Sequence, residues 1–232
     1  MHLFLSFFFV AVLTVSCLSD PGSTDNELSP QSPTTLHSEA PNRRARQISL
    51  RVRNSSCTGI AIGSGWALDA HHLVTNKHVI AGATKTELEV STWNGKTLPV
   101  ITAKAAVFSD LAILEVDAVL SEIAVLGNND PLPKDRLTIV GFPNGDALTI
   151  EVGKLVDYKT DSEYGETGPV MRINTSIQPG NSGSPVLNAA GEVIGIIYAI
   201  ERATGYGLAI PLSRLETSIA NNSFGSIPSC EL

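Results

Sequence analysis

The sequence predicts an all-β fold: two six-stranded antiparallel β-barrels followed by a short C-terminal helix. Three observations carry this. From Gln47 onward the chain is a series of short β-rich runs: ISLRV, TGIAIG, LVTN, TELEVST, LPVITAKAAV, LAILEV, LTIVGF, ALTIEVGKLV, VMRINT, GSPVLN, EVIGIIYAI and YGLAIPL. Gly, Pro, Asn and Asp punctuate these runs at close spacing, the pattern of a barrel or sandwich. Only two places read as helical, a turn at VIAGA after His78 and the tail SRLETSIANN, where Leu215 and Ile219 follow a Ser213 cap. The runs divide into barrels over about 47–130 and 131–216, with a cleft between them.

The 232 residues are 43% hydrophobic and 17% charged, enough apolar content for a packed core. A net charge of −7 leaves no basic footprint for nucleic acid or anionic lipid. At the N-terminus, residues 1–19 hold the apolar run LFLSFFFVAVLTVSCLS, short and early enough to be a secretory signal, although only His2 supplies n-region polarity. Cys17 within it loosely matches a lipid-attachment pattern, with Thr14 where an aliphatic residue is wanted. Residues 20–46 are rich in Ser, Pro, Thr and charge and read as a disordered linker or propeptide. Within it Arg43, Arg44 and Arg46 form either a processing site or a solvated basic patch. Residues 47–232 form the folded domain, and the end of the chain soon after the tail helix leaves no room for a PDZ module. No Cys/His cluster or EF-hand spacing is present, so neither a metal nor an organic cofactor is expected.

Three segments carry chemistry: TNKHV around His78, SDLAIL around Asp110 and GNSGSP around Ser182. A serine hydroxyl needs a base to remove its proton and donors aimed at the oxyanion it creates. The glycine at 180 lets the backbone turn so that the N–H groups of Gly180 and Ser182 face one point, while Gly183 clears space beside the attacking oxygen. His78 can take the proton and return it to a leaving amine. His71 and His72 lie in the turn DAHH and suit a solvent-exposed role. Asp110 can hold the imidazole in one tautomer and stabilise the imidazolium. Each segment alone has an ordinary reading: a surface turn, a histidine after a strand, an aspartate before one. Together, in the order His, Asp, Ser, they form a triad. The order Ser, Asp, His of an α/β-hydrolase is absent, and Ser184 stands where its elbow needs glycine.

On these motifs the chain resembles the trypsin-like serine peptidases, in particular the HtrA (Deg) branch, over about residues 57–215. The resemblance implies a chymotrypsin-like fold, polypeptide substrates and an acyl-enzyme route, with His78 as base, Asp110 as orienter, Ser182 as nucleophile and Gly180 with Ser182 as oxyanion donors. It also implies that Ile197, Tyr198, Ala199 and Ile200 form the strand that pairs with substrate backbone. No acidic residue stands near Ser176, at the expected pocket base, so Arg or Lys at the cleaved position is disfavoured. Related glutamate-specific enzymes carry a histidine where Ile197 stands. Small or aliphatic uncharged residues are therefore expected. Asn181, where trypsin-like digestive enzymes carry aspartate, implies no activation by a newly cut N-terminus. Cys57 and Cys230 are the cysteines left after the export segment, and their flanking placement resembles the MarP-type periplasmic proteases, which implies a disulfide. A secreted or periplasmic cell-envelope location follows. An esterase using the same triad, or a catalytically silent binding module of the same fold, are the alternatives.

Overall fold

The structure, a computed structural model, describes residues 36–56, 59–160 and 166–228, with side chains from residue 42. The expected signal segment, Cys17, Cys57 and Cys230 lie outside the described residues. In chain order the elements are helix α1 (Leu36–Ile48), β1 (Ser49–Asn54), β2 (Ala61–Ala67), β3 (His72–Thr75), helix α2 (Lys77–Ile80), β4 (Leu88–Thr92), β5 (Thr97–Leu98), β6 (Val100–Ala106) and β7 (Ala112–Val116). The second half contains β8 (Arg136–Gly141), β9 (Thr149–Thr160), β10 (Pro169–Ile173), β11 (Pro185–Leu187), β12 (Val193–Ile200), β13 (Gly207–Pro211), helix α3 (Leu212–Ala220) and β14 (Phe224–Gly225).

The second half closes as expected into a six-stranded barrel, β10-β13-β12-β11-β8-β9. The first half is a half-barrel, in keeping with the expected two-barrel architecture. It is an eight-stranded sheet in the order β14-β6-β7-β3-β2-β1-β4-β5, curled so that β4 comes near β6. Two additions account for the count. The run LPVITAKAAV splits at Pro99, which separates β5 from β6, and the tail after α3 returns as β14 to pair with β6.

Barrel strands with both faces buried explain the unbroken apolar run in β12. Ile194 and Ile197 face the barrel interior with Leu137, Met171 and Ile173. Val193, Ile196 and Tyr198 face outward, into the layer that packs the barrel against the sheet through Trp66, Val74 and Leu111. An inside and an outside set three residues apart would break a two-residue alternation. The register shift against β11, where Val186 pairs with Gly195 and Leu187 with Val193, leaves Ile194 as the extra residue and absorbs the break as a bulge. In β1, by contrast, Leu50 and Val52 are buried and alternate with the half-buried Arg51 and Arg53.

The region 20–46 is not a tether throughout, because α1 begins at Leu36. Its last turn is anchored. Ala45 and Ile48 enter the layer between barrel and sheet, and the Ser49 hydroxyl donates to the Ala45 carbonyl at 2.7 Å. An apolar stripe of two residues is too short to show a helical period, so the helix was invisible to patterning. Arg43, Arg44 and Arg46 are exposed on this helix, whereas a processing protease binds its substrate extended. In α3 the cap position is Pro211, not Ser213, and Leu212 and Leu215 are buried while Ile219 is exposed.

Candidate active site

His78 sits in α2, one turn of helix that starts directly after β3, so the sheet fixes where its side chain leaves the backbone. Asp110 precedes β7, the neighbour of β3. The two segments are joined three times. Asn76 Nδ2 donates to the Asp110 carbonyl at 2.8 Å, the His78 N–H donates to Asp110 Oδ1 at 2.9 Å, and His78 Nδ1 lies 2.6 Å from Asp110 Oδ2. The Asp110 carboxyl is mostly covered and the imidazole is half exposed (side-chain exposures 13% and 49%). With Nδ1 committed to the carboxylate, Nε2 is the nitrogen left to accept a proton. His71 and His72 are elsewhere: His72 pairs with Asp69 at 2.9 Å and His71 Nδ1 meets the Ala118 carbonyl.

Ser182 faces the same cleft, a cavity of about 600 Å³ whose walls include His78 and Asp110 from the sheet and Ile177, Pro179 and Ser182 from the barrel. Ile197, Tyr198, Ala199 and Ile200 complete the barrel wall. Ser176 does not line it; it is exposed, and the buried Ile177 takes the wall instead. Strand-like alternation along 174–177 turns Thr175 and Ile177 inward and Ser176 out.

The turn before Ser182 is held by its carbonyls. The Pro179 carbonyl accepts from the Asn144 N–H at 2.5 Å, and the Asn181 carbonyl accepts from the Ser184 N–H at 2.9 Å. In a trans peptide the N–H points opposite to the C=O. Anchoring those two carbonyls therefore turns the N–H groups of Gly180 and Ser182 away from the protein, and neither donates to any described residue. Two unpaired donors on one short turn are what an oxyanion needs. Gly180 has φ +96, and a Cβ there would crowd Phe142 O and Asn144 N, so glycine is required twice over. Gly183 differs from expectation. Its missing side chain is needed because a Cβ would strike the Ser64 carbonyl, not to clear the attack path.

Ser64 was not singled out in the sequence. Its buried hydroxyl donates to the Gly180 carbonyl at 2.8 Å and accepts from the Phe142 N–H at 3.0 Å, and its own N–H donates to Ser182 O at 2.7 Å. One serine of β2 thus grips the turn of the barrel that carries Ser182. The repeated small residues of GSG in IAIGSGW are the one trace of so close an approach.

The end of the cleft-lining strand β12 is also pinned. Glu201, just past β12, accepts from Lys159 Nζ at 2.7 Å and lies 3.3 Å from Arg172 Nη1, while Arg172 forms a two-pronged pair with Asp157, both contacts at 2.6 Å. Hydrogen bonds from Lys159 and Thr204 hold the Glu201 carboxyl far down, at about 2.

A closed barrel and a curled sheet meeting at a cleft, with a histidine–aspartate pair on one side and a serine turn on the other, define the chymotrypsin-like two-barrel class. The chain belongs to the trypsin-like peptidase domain family, whose model matches residues 57–196. Among curated relatives, the serine protease Do-like HtrB of Bacillus subtilis is 31% identical over 161 residues, which is 64% of this chain and 34% of that protein. The chain spans well under half the length of the curated relatives it matches. Among solved structures, a serine endoprotease from Yersinia pestis superposes with a TM-score of 0.68 at 26% identity, covering 82% of this chain and 67% of that one. The Rv3671c protease of Mycobacterium tuberculosis in its active form shares the fold, with a TM-score of 0.72 at 18% identity over 93% and 97% of the two chains.

Proposed function

We propose that the protein is a secreted or cell-envelope serine endopeptidase that cleaves polypeptides through an acyl-enzyme intermediate. The observation that carries this reading is the His78–Asp110 contact at 2.6 Å on the wall of the cleft that also holds Ser182. Substrate backbone adds as a strand beside Ile197–Ile200. His78 Nε2 takes the proton of Ser182 as its oxygen attacks the carbonyl carbon. The carbonyl oxygen becomes an oxyanion between the N–H groups of Gly180 and Ser182. The imidazolium, stabilised by Asp110, gives its proton to the leaving amine, and water repeats the sequence to free the acid.

The wall favours small or aliphatic uncharged residues at the cleaved position. Ile177, Ile197 and Ile200 line it, and its charged members are committed elsewhere, Asp110 to His78 and Lys77 to the Ala106 carbonyl at 3.2 Å. A charged guest would be desolvated without a partner. The test is labelling by a fluorophosphonate probe together with a library of peptide and ester substrates. Labelling that disappears in Ser182→Ala and peptide cleavage after Ala, Val or Leu are expected. Labelling that persists in that variant, ester-only turnover, or cleavage after Arg, Lys or Glu would each overturn the corresponding part of the reading.

A further inference from the structure

Glu166 is a buried acidic side chain that the proposed chemistry does not use. It lies in the connection from β9 to β10, and its side chain is fully enclosed (0% exposed). Its partners among the described residues all donate. Glu166 Oε1 accepts from the Asp110 N–H at 2.5 Å, and the Ser109 hydroxyl donates to Oε1 and Oε2 at 2.9 and 3.0 Å. Arg214 Nη2, from α3, stands 3.4 Å from Oε2 and also donates to Thr167 Oγ1 at 3.1 Å and to the Phe108 carbonyl at 3.4 Å. Gly168 leaves the room this requires, since a Cβ there would overlap the Arg214 guanidinium.

The location gives this cluster its consequence. His78 and Asp110 belong to the sheet, whereas Ser182 belongs to the barrel, so their relative placement depends on how the two halves meet. Within the sheet, Asp110 is held through its carbonyl by Asn76 and through its carboxyl by His78. Its remaining backbone group, the N–H, is held by Glu166 from the barrel side of the chain. An enclosed acid costs several kcal/mol unless donors satisfy it, so an apolar residue would fill the same space at less cost. We propose that Glu166 is a positioning residue for the triad, clamping Asp110 to the second half of the molecule and acting on catalysis only through it.

This rests on the triad reading, and the experiment separates the two. Glu166→Met and Glu166→Gln have similar volume and both lack charge, but only Gln can accept from the Asp110 N–H. Misplacing a catalytic group by about 1 Å costs on the order of 100-fold in rate. Glu166→Met is therefore expected to lose about 10- to 100-fold in kcat with KM changed less than about threefold, and Glu166→Gln to stay within about fivefold of the parent. In an Asp110→Asn background the same Met substitution is expected to change the rate of fluorophosphonate labelling less than about twofold, because its route to the chemistry is already cut. If Glu166→Met does not fold, Glu166→Asp, which keeps the charge but withdraws it by one methylene, should show the same loss in kcat. Equal kcat for the Met and Gln variants, an undiminished Asp variant, or a full Met effect in the Asn background would overturn the proposal while leaving the triad standing. A fully active Ser182→Ala would instead sink the triad reading itself.

Discussion

Replacing Gly180 by alanine tests whether anchored carbonyls preorganise the oxyanion donors. The residue has φ +96, which an L side chain adopts only under strain, and its Cβ would crowd Phe142 O, Asn144 N at 2.8 Å and Gly145 N at 3.0 Å. The cheapest relief is rotation of the 179–180 peptide, which breaks the Asn144 N–H bond to the Pro179 carbonyl and swings the Gly180 N–H out of the cleft. Strain and a lost buried hydrogen bond together cost about 2–4 kcal/mol. For a domain of this size that corresponds to a fall in Tm of roughly 5–15 °C, short of unfolding at room temperature. Loss of one oxyanion donor lowers kcat by about 100- to 1,000-fold, or about 2.7–4 kcal/mol of transition-state stabilisation. The expected signature is therefore a folded variant with kcat reduced by that amount and KM little changed. The assay is steady-state hydrolysis of a chromogenic peptide beside a thermal melt. A folded Gly180→Ala variant within fivefold of the parent kcat would refute the reasoning, since it would mean that the Gly180 N–H contributes nothing to the developing charge.

Asp110→Asn should leave the fold intact and lower kcat by about 10⁴, because the amide favours the wrong imidazole tautomer, and pre-steady-state kinetics against the parent measures this. Ser64→Ala should cost about 1–3 kcal/mol in denaturant unfolding, since it orphans the buried Phe142 N–H and Gly180 carbonyl; a neutral result would mean the serine grip is not needed. The depressed Glu201 carboxyl contributes stability that is fully present above its ordinary value of 4.5 and is lost as pH falls through about 2, so Glu201→Gln should flatten the acid limb of a Tm–pH profile over that interval. Cys57 and Cys230 should be found joined in non-reducing peptide maps of exported protein; two alkylatable thiols would show that the tail is held by packing and by the Gly82 N–H bond to the Pro228 carbonyl at 2.8 Å.

Much of this was legible in the sequence for a physical reason. Strand runs announce themselves by composition, and twelve such runs become the body of both sheets. The triad candidates stand in short motifs because each must be placed by its immediate backbone: His78 by one helical turn, Ser182 by a glycine turn. What stayed hidden depends on partners remote in sequence. Ser64 meets Gly180 across 116 positions and Glu166 meets Asp110 across 56, and a single polar residue in a loop has no period to reveal it. The added strand of the first sheet was hidden likewise, because β14 is two residues of an unremarkable tail that count as a strand only beside β6.

Those hidden contacts both cross between the two halves of the molecule. The Ser64 bonds run from the sheet to the turn that holds Ser182, and the Glu166 bond joins the barrel connection to Asp110. A hydrophobic layer between the halves, built from residues such as Trp66, Val140 and Ile196, supplies adhesion but little orientation, because apolar packing is not directional. Hydrogen bonds with fixed donor and acceptor geometry supply the orientation. The proposed mechanism passes a proton between Ser182 on one half and His78 on the other, a transfer sensitive to misplacement of about 1 Å or less. The demand for directional cross-links is therefore greatest where the reacting groups are divided between two separately folded sheets, and both cross-links fall within one residue or two of a triad member.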